Sequence, residues 1–349
     1  MTLEPREHAP LWLVVLAPVA AVAASLVLCS VLILWTGQPV LNAYRLLLGG
    51  AFGSSFGIAE TLTRATPLIL TGLAAAVAFR AKFWNIGAEG QLYCGALAAT
   101  WLGTGMVSLP PVLMIPLLFA AGAVAGGVAL LVPVFLKTRL KVDEVVTTLL
   151  LNFVILLLVN FLLEGPWKDP MSLGWPQAAP IVDEGVLPVL LAKSRLHMGL
   201  LVGLAAALLV WAAMRWSVWG YEIRAVGLNP QAATFAGISV NLTMLRVAMI
   251  SGGLAGMAGV GEVAGLKGYL TLDLSPGFGY AGIAVAMLAA LHPIGVILSA
   301  VFLAGIYVGA DSMSRAVNIP TYIADVLVAS SVLAVLVSLM FVRFRVRWR

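Results

Sequence analysis

The residues best suited to handling a solute lie between Phe83 and Gln91, where Asn85, Glu89 and Gln91 set two amides and a carboxylate at the edge of an apolar run. An ionisable side chain in such surroundings is costly unless it faces a partner or a watery cavity. Two readings of the segment stand side by side. In one, Asn85 caps a helix and Glu89 satisfies the first-turn amides at its positive end. In the other, Asn85, Glu89 and Gln91 line or gate a path for a polar solute. Glu262 and Asp325 sit near the ends of later apolar runs, where interfacial solvation is the expected explanation. Residues for covalent chemistry do not cluster. His8, His197 and His292 are scattered without metal-ligand spacing. No Gly-Lys pair occurs, so the phosphate-cradling loop with its lysine is missing. No nucleophile stands beside a base, and the chain is expected to carry no catalysis, metal or cofactor of its own.

The elements that position these groups are dictated by composition. Of 349 residues 62% are hydrophobic and 10% charged, with a mean hydropathy of +1.05; soluble domains carry roughly 25% charged residues. The 20 basic and 15 acidic side chains cannot clothe a core of this size, so lipid must solvate much of the surface. The net charge of +5 arises from short basic clusters between apolar runs, which argues for membrane topology and against a nucleic-acid partner. Cys29 and Cys94 both lie in apolar stretches and are expected simply to pack.

Runs of about 20 apolar residues predict an all-α integral membrane protein of about ten spans, near 11–35, 62–79, 86–107, 112–136, 145–163, 198–214, 245–265, 279–291, 294–310 and 322–341. The apolar stretch 279–310 is too long for one crossing and is divided at His292-Pro293. Placing both termini in the cytoplasm puts 13 of the 20 basic residues on the inner side, as the positive-inside rule requires. The first run is expected to be a retained anchor, although Ala21-Val22-Ala23 leaves room for cleavage. The tail 343–349 alternates basic and apolar residues and is expected to anchor on anionic headgroups. Small residues four apart, Gly122 with Gly126, Gly252 with Gly256 and Gly261 with Gly265, are expected to pack helices closely.

Two loops are long. The outer one, 164–197, carries Trp167, Trp175 and several prolines and is expected to be an ordered cap or docking surface. The inner one, 215–243, contains a complete short-helix signature: Asn229 as N-cap, Pro230 at the first helical position and Gly237 as the left-handed stop. A helix of about two turns follows, with Ala232 and Ala233 leaving room for a partner to dock.

Phe83-Trp84-Asn85-Ile86-Gly87-Ala88-Glu89-Gly90-Gln91 resembles the signature of permease subunits in the nucleoside branch of the simple-sugar and branched-chain amino-acid ABC importers. Tyr221 to Ile238, with Arg224-Ala225-Val226-Gly227, resembles the inner loop of the same family. So do Lys141 to Thr148 with Asn152, and Ser251 to Gly256. Ser251-Gly252-Gly253 also has the look of a cassette signature loop, but it lies inside a predicted span and lacks the following Gln. Trp84 stands where the family would have Phe. The resemblance implies a multi-pass protein of the bacterial cytoplasmic membrane, possible as two inverted five-helix halves, that imports nucleosides or a related sugar. Its implied partners are a cytoplasmic ABC ATPase holding ATP and Mg, a second permease (the same chain or another), and an extracytoplasmic binding protein or lipoprotein. It implies a coupling helix over Tyr221, Arg224, Gly227, Asn229, Ala232, Ala233 and Gly237, and pathway or gate roles for Asn85, Glu89, Gln91 and Asn152. The competing class is an ion-coupled secondary transporter of a small polar solute, which would leave the inner loop unexplained.

Overall fold

The computed structural model describes residues 2–5 and 10–317 and some positions between 322 and 347; several side chains early in the first helix lie outside the described set. Backbone in lipid must be satisfied internally, and most of the described chain is helix. The helices are α1 (Leu11–Trp35), α2 (Val40–Phe52), α3 (Ser55–Arg80), α4 (Ala88–Gly103), α5 (Pro111–Leu140), α6 (Glu144–Glu164), α7 (Gly199–Trp216), α8 (Val218–Leu228), α9 (Pro230–Phe235), α10 (Val240–Glu262), α11 (Phe278–Leu288) and α12 (Pro293–Val317). Among the described residues, six helices are long and apolar enough to cross a membrane: α3, α5, α6, α7, α10 with its extension to Lys267, and α12. Ala23–Trp35 of α1 and α2 would add a seventh as one span, bent by 116°.

The run 86–107 holds only the 16 residues of α4, and 279–291 falls on α11, a helix of 11 residues. At 1.5 Å per residue these reach about 24 and 16 Å, short of a hydrocarbon core of roughly 30 Å. In contrast α12 continues to Val317, well past the apolar run that begins at 294. The segment 322–341, and Asp325 with it, falls largely outside the described residues. Helix α2 has no counterpart among the apolar runs, because Asn42, Arg45 and Gly49-Gly50 interrupt its 13 residues.

The chain divides into two compact units. The first comprises residues 1–61 and 301–349. Within it, Gly37 (φ 75°) and Pro39 break the chain between α1 and α2. Helix α2 lies close on the second half of α12: a Cβ at Gly309 would stand 2.3 Å from the Leu47 carbonyl. The chain ends meet in a short antiparallel ladder, β1 (Thr2–Pro5) with β2 (Phe344–Arg347). The basic and apolar alternation of the tail thus has the period of a strand.

The second unit, residues 62–300, contains α4 to α11. Its centre is the crossing of α4, α5 and α10, and the glycine spacing explains how close it is. A Cβ on Gly256 would stand 2.1 Å from the Gly122 carbonyl, and one on Gly126 would stand 2.2 Å from the Gly252 carbonyl. The two small-residue pairs therefore face each other and let the backbones touch. The third pair does something different. Helix α10 ends in a π turn, Val263–Lys267, closed by Gly268 at φ 79°. The His197 ring packs there, where a Cβ on Gly265 would stand 2.4 Å from Nδ1. The long segment 165–198 is pinned to the same end. The Ala178, Ile181 and Leu187 amides donate to the carbonyls of Leu270, Gly268 and Ala264 at 2.8–3.0 Å.

Candidate functional site

The predicted polar residues converge where α4 begins. The chain leaves α3 at Arg80, turns at Ala81-Lys82, runs irregularly through Phe83 to Gly87, and starts α4 at Ala88, so the orphan amides of a helix N-terminus lie inside the unit and need partners. Gly87 is the N-cap and offers no side chain. Asn152, on α6, serves instead: its Oδ1 accepts from the Gly90 amide at 2.9 Å, and its Nδ2 donates to the Ile86 carbonyl at 3.0 Å and to the Tyr280 hydroxyl at 3.1 Å. Thr148, one turn earlier on α6, accepts from the Ile86 amide at 3.2 Å.

Asn85 and Gln91 hydrogen-bond each other twice, both at 2.9 Å. The Asn85 Nδ2 also donates to Ser251 Oγ at 3.0 Å, and Ser251 donates to the Ala74 carbonyl of α3 at 2.7 Å. Asn85 therefore ties α3, α4 and α10 together, and its Oδ1 also accepts from the Gly87 amide at 2.9 Å. Glu89 departs from the local reading. It does not serve the first turn of α4 but accepts from the Gly279 amide at 2.6 Å, in the first turn of α11, with Ser275 and the Gly277 amide beside it. Here the N-termini of α4 and α11 meet head to head: a Cβ on Gly279 would stand 2.2 Å from the Glu89 nitrogen. A carboxylate at a helix N-terminus is stabilised by the helix dipole. All four predicted gate residues are at most 3% exposed.

Ser251, Thr148, Tyr280 and Gly279 complete this junction. The signal for Ser251 was its place in Ser251 to Gly256; Gly279 acts through its backbone, which no side-chain pattern reports. Glu262 overturns the expectation of interfacial solvation. It is 2% exposed, and Lys267, Arg64 and Arg195 are its cationic surroundings. His197, just outside α7, is 1% exposed; its Nδ1 accepts from the Gly199 amide at 3.2 Å and burial lowers its pKa to about 4.

The residues of the loop 215–243 form an elbow of α8 and α9. Asn229 Oδ1 accepts from the Gln231 and Ala232 amides at 3.0 and 3.1 Å, Pro230 opens α9, and Gly237 stops it at φ 82°. Gly227 permits a backbone contact, since a Cβ there would stand 2.0 Å from the Arg80 carbonyl. Arg224 turns back toward α7 and donates to the Met214 carbonyl. Glu222 pairs with Arg246 of α10, whose guanidinium also lies 5.2 Å from the Trp219 ring. Of the two alanines, Ala232 is exposed while Ala233 is 3% exposed and packs inward. The outward face carries Tyr221, Leu228 and Phe235, at 60%, 80% and 94% exposure. The loop after α5 is held by Lys137, which pairs with Glu144 and lies 5.1 Å from the Phe83 ring.

The chain matches the family described as "Branched-chain amino acid transport system / permease component" over residues 57–342. The "Glucose ABC transporter permease protein TsgB13" of Haloferax volcanii is 35% identical over 99% of this chain and 93% of its own length. The "Guanosine ABC transporter permease protein NupP" of Bacillus subtilis is 35% identical over 92% of each chain. The "Nucleoside ABC transporter permease protein NupB" of Lactococcus lactis is 31% identical over 90% of this chain and 89% of its own. Among solved structures, a chain of "PsaBC from Streptococcus pneumoniae in complex with Fab" has a TM-score of 0.48 at 14% identity, covering 84% of this chain and 94% of that one.

Proposed function

This chain belongs to the branched-chain amino acid transport system permease family, and on that premise we propose that it is the membrane subunit of an ABC importer that carries nucleosides, or a related simple sugar, into the bacterial cytoplasm. Relatives named for guanosine, nucleoside and glucose support the substrate class. Energy comes from a separate ATPase that binds ATP and Mg. A second permease, identical or related, completes the path. An extracytoplasmic binding protein seats on the outer segment, where Met171, Leu173 and Trp175 are 74–96% exposed.

The observation that carries this reading is the α8–α9 elbow. Three large apolar side chains, Tyr221, Leu228 and Phe235, stand out from a short, firmly capped unit, and such a patch fits a partner groove. A push on the elbow travels by hard contact. Gly227 bears on the end of α3, and the Glu222–Arg246 pair bears on α10. Helix α10 carries Ser251, which holds Asn85. In this scheme Asn85, Glu89, Gln91 and Asn152 gate the path by exchanging hydrogen bonds between α4, α6, α10 and α11.

Replacing Phe235 with Glu tests the proposal. The variant should insert normally but lose both nucleoside uptake and co-purification of the ATPase. Uptake driven by an ion gradient in vesicles holding this chain alone, without ATP, would refute it and favour a secondary transporter.

A further inference from the structure

Where α3 and α7 end and α12 begins, a cavity of about 260 Å³ is lined by Arg80, Arg215, Arg224, His292, Trp211 and Pro293. Its charge is uncompensated. Arg80 Nε donates to the Leu291 carbonyl at 3.0 Å and Arg224 donates to the Met214 carbonyl, but a carbonyl satisfies one of five guanidinium donors and cancels no charge. Among the described residues no salt bridge engages Arg80, Arg215 or Arg224. Arg80 feels the like charge of Arg224. The turn that leads into the lining residue His292 is strained: Ala290 and Leu291, successive non-glycine residues, have φ 48° and 61°. Such strain survives only where the surroundings enforce it, and Arg80 grips the Leu291 carbonyl.

The location names the ligand class. Three helices apolar enough to span a membrane terminate here, so the cavity lies at the membrane surface. Trp211 and Trp216 stack edge to face at 4.8 Å beside it, amphipathic rings of the kind that mark the headgroup level. Leu209 and Trp216, each 70% exposed, carry the apolar surface of α7 to the same end. We propose that the cavity binds a phosphate oxyanion, with an anionic phospholipid headgroup as its source: the guanidiniums take the phosphate while the acyl stem follows the Trp211 side of α7. Guanidiniums suit this task because their planar fork matches phosphate oxygens.

The test uses the whole transporter in nanodiscs of phosphatidylcholine, with or without phosphatidylglycerol, and in phosphatidylcholine discs supplied with labelled inorganic phosphate. Native mass spectrometry reads bound lipid, and label retention reads free phosphate. Wild type should retain phosphatidylglycerol, and Arg80→Gln should lower its occupancy about fivefold, with a larger drop for the charge reversal Arg215→Glu. Arg80→Gln keeps a donor for Leu291 and Arg215 is exposed, so folding, checked by monodispersity, is expected in both. Phosphate retention that both variants lose would support the same site with a free ion as its source. Equal binding of lipid and phosphate by wild type and both variants would overturn the proposal. So would loss of the ATPase from Arg215→Glu with lipid binding unchanged, because the arginines would then belong to a protein contact.

Discussion

Replacing Asn152 with Leu, a side chain of similar size, is expected to loosen the junction of α4 with α6 and α11 without creating a large void. Asn152 is fully buried and makes three bonds: to the Gly90 amide, the Ile86 carbonyl and the Tyr280 hydroxyl. Side-chain bonds between membrane helices average about 0.6 kcal/mol, so three give a lower bound of roughly 2 kcal/mol. Two backbone groups left buried and unsatisfied cost about 1–3 kcal/mol each, which raises the upper bound to roughly 6 kcal/mol. Asn152→Asp should also fall below wild type, because it keeps the acceptor for Gly90 but sets a buried carboxyl oxygen against the Ile86 carbonyl. Thermal unfolding in detergent, followed by size exclusion, would place both variants below wild type. Unchanged stability of the Leu variant would refute the claim that Asn152 caps α4 from α6, whatever its transport activity.

Gly227→Ala places a methyl group 2.0 Å from the Arg80 carbonyl, so α8 must shift away from α3. The expected cost is about 1–3 kcal/mol, with substrate-stimulated ATPase activity falling more than expression. For His197, burial lowers the pKa from 6.5 to about 4, so between those values the unfolded chain binds a proton that the folded chain refuses. Stability therefore falls as pH falls through that window, by about 1.4 kcal/mol at pH 5.5. Thermal stability measured from pH 7.5 to 5 should decline less steeply for His197→Gln than for wild type, and parallel curves would contradict the assignment.

The sequence by itself determined the solvent and the element type, because 10% charged residues leave lipid as the surroundings and lipid admits backbone that bonds to itself. It also determined features whose causes are local. Asn229, Pro230 and Gly237 mark α9 because capping, a fixed φ and a left-handed stop each act within a few residues. The glycine pairs marked helices that approach closely, since spacing alone places them on one face. What the tertiary structure decided was partnership. Gly122-Gly126 could meet any small stripe, and only the fold sets it against Gly252-Gly256. Of the two readings of Glu89, the local one has it serve its own helix, yet it serves α11, 190 residues away, because α4 and α11 are short and their N-termini meet inside the unit. Asn85, Asn152 and Ser251 follow the same rule: buried amides and hydroxyls bond to whatever the packing brings near, and that lies in no local window of sequence.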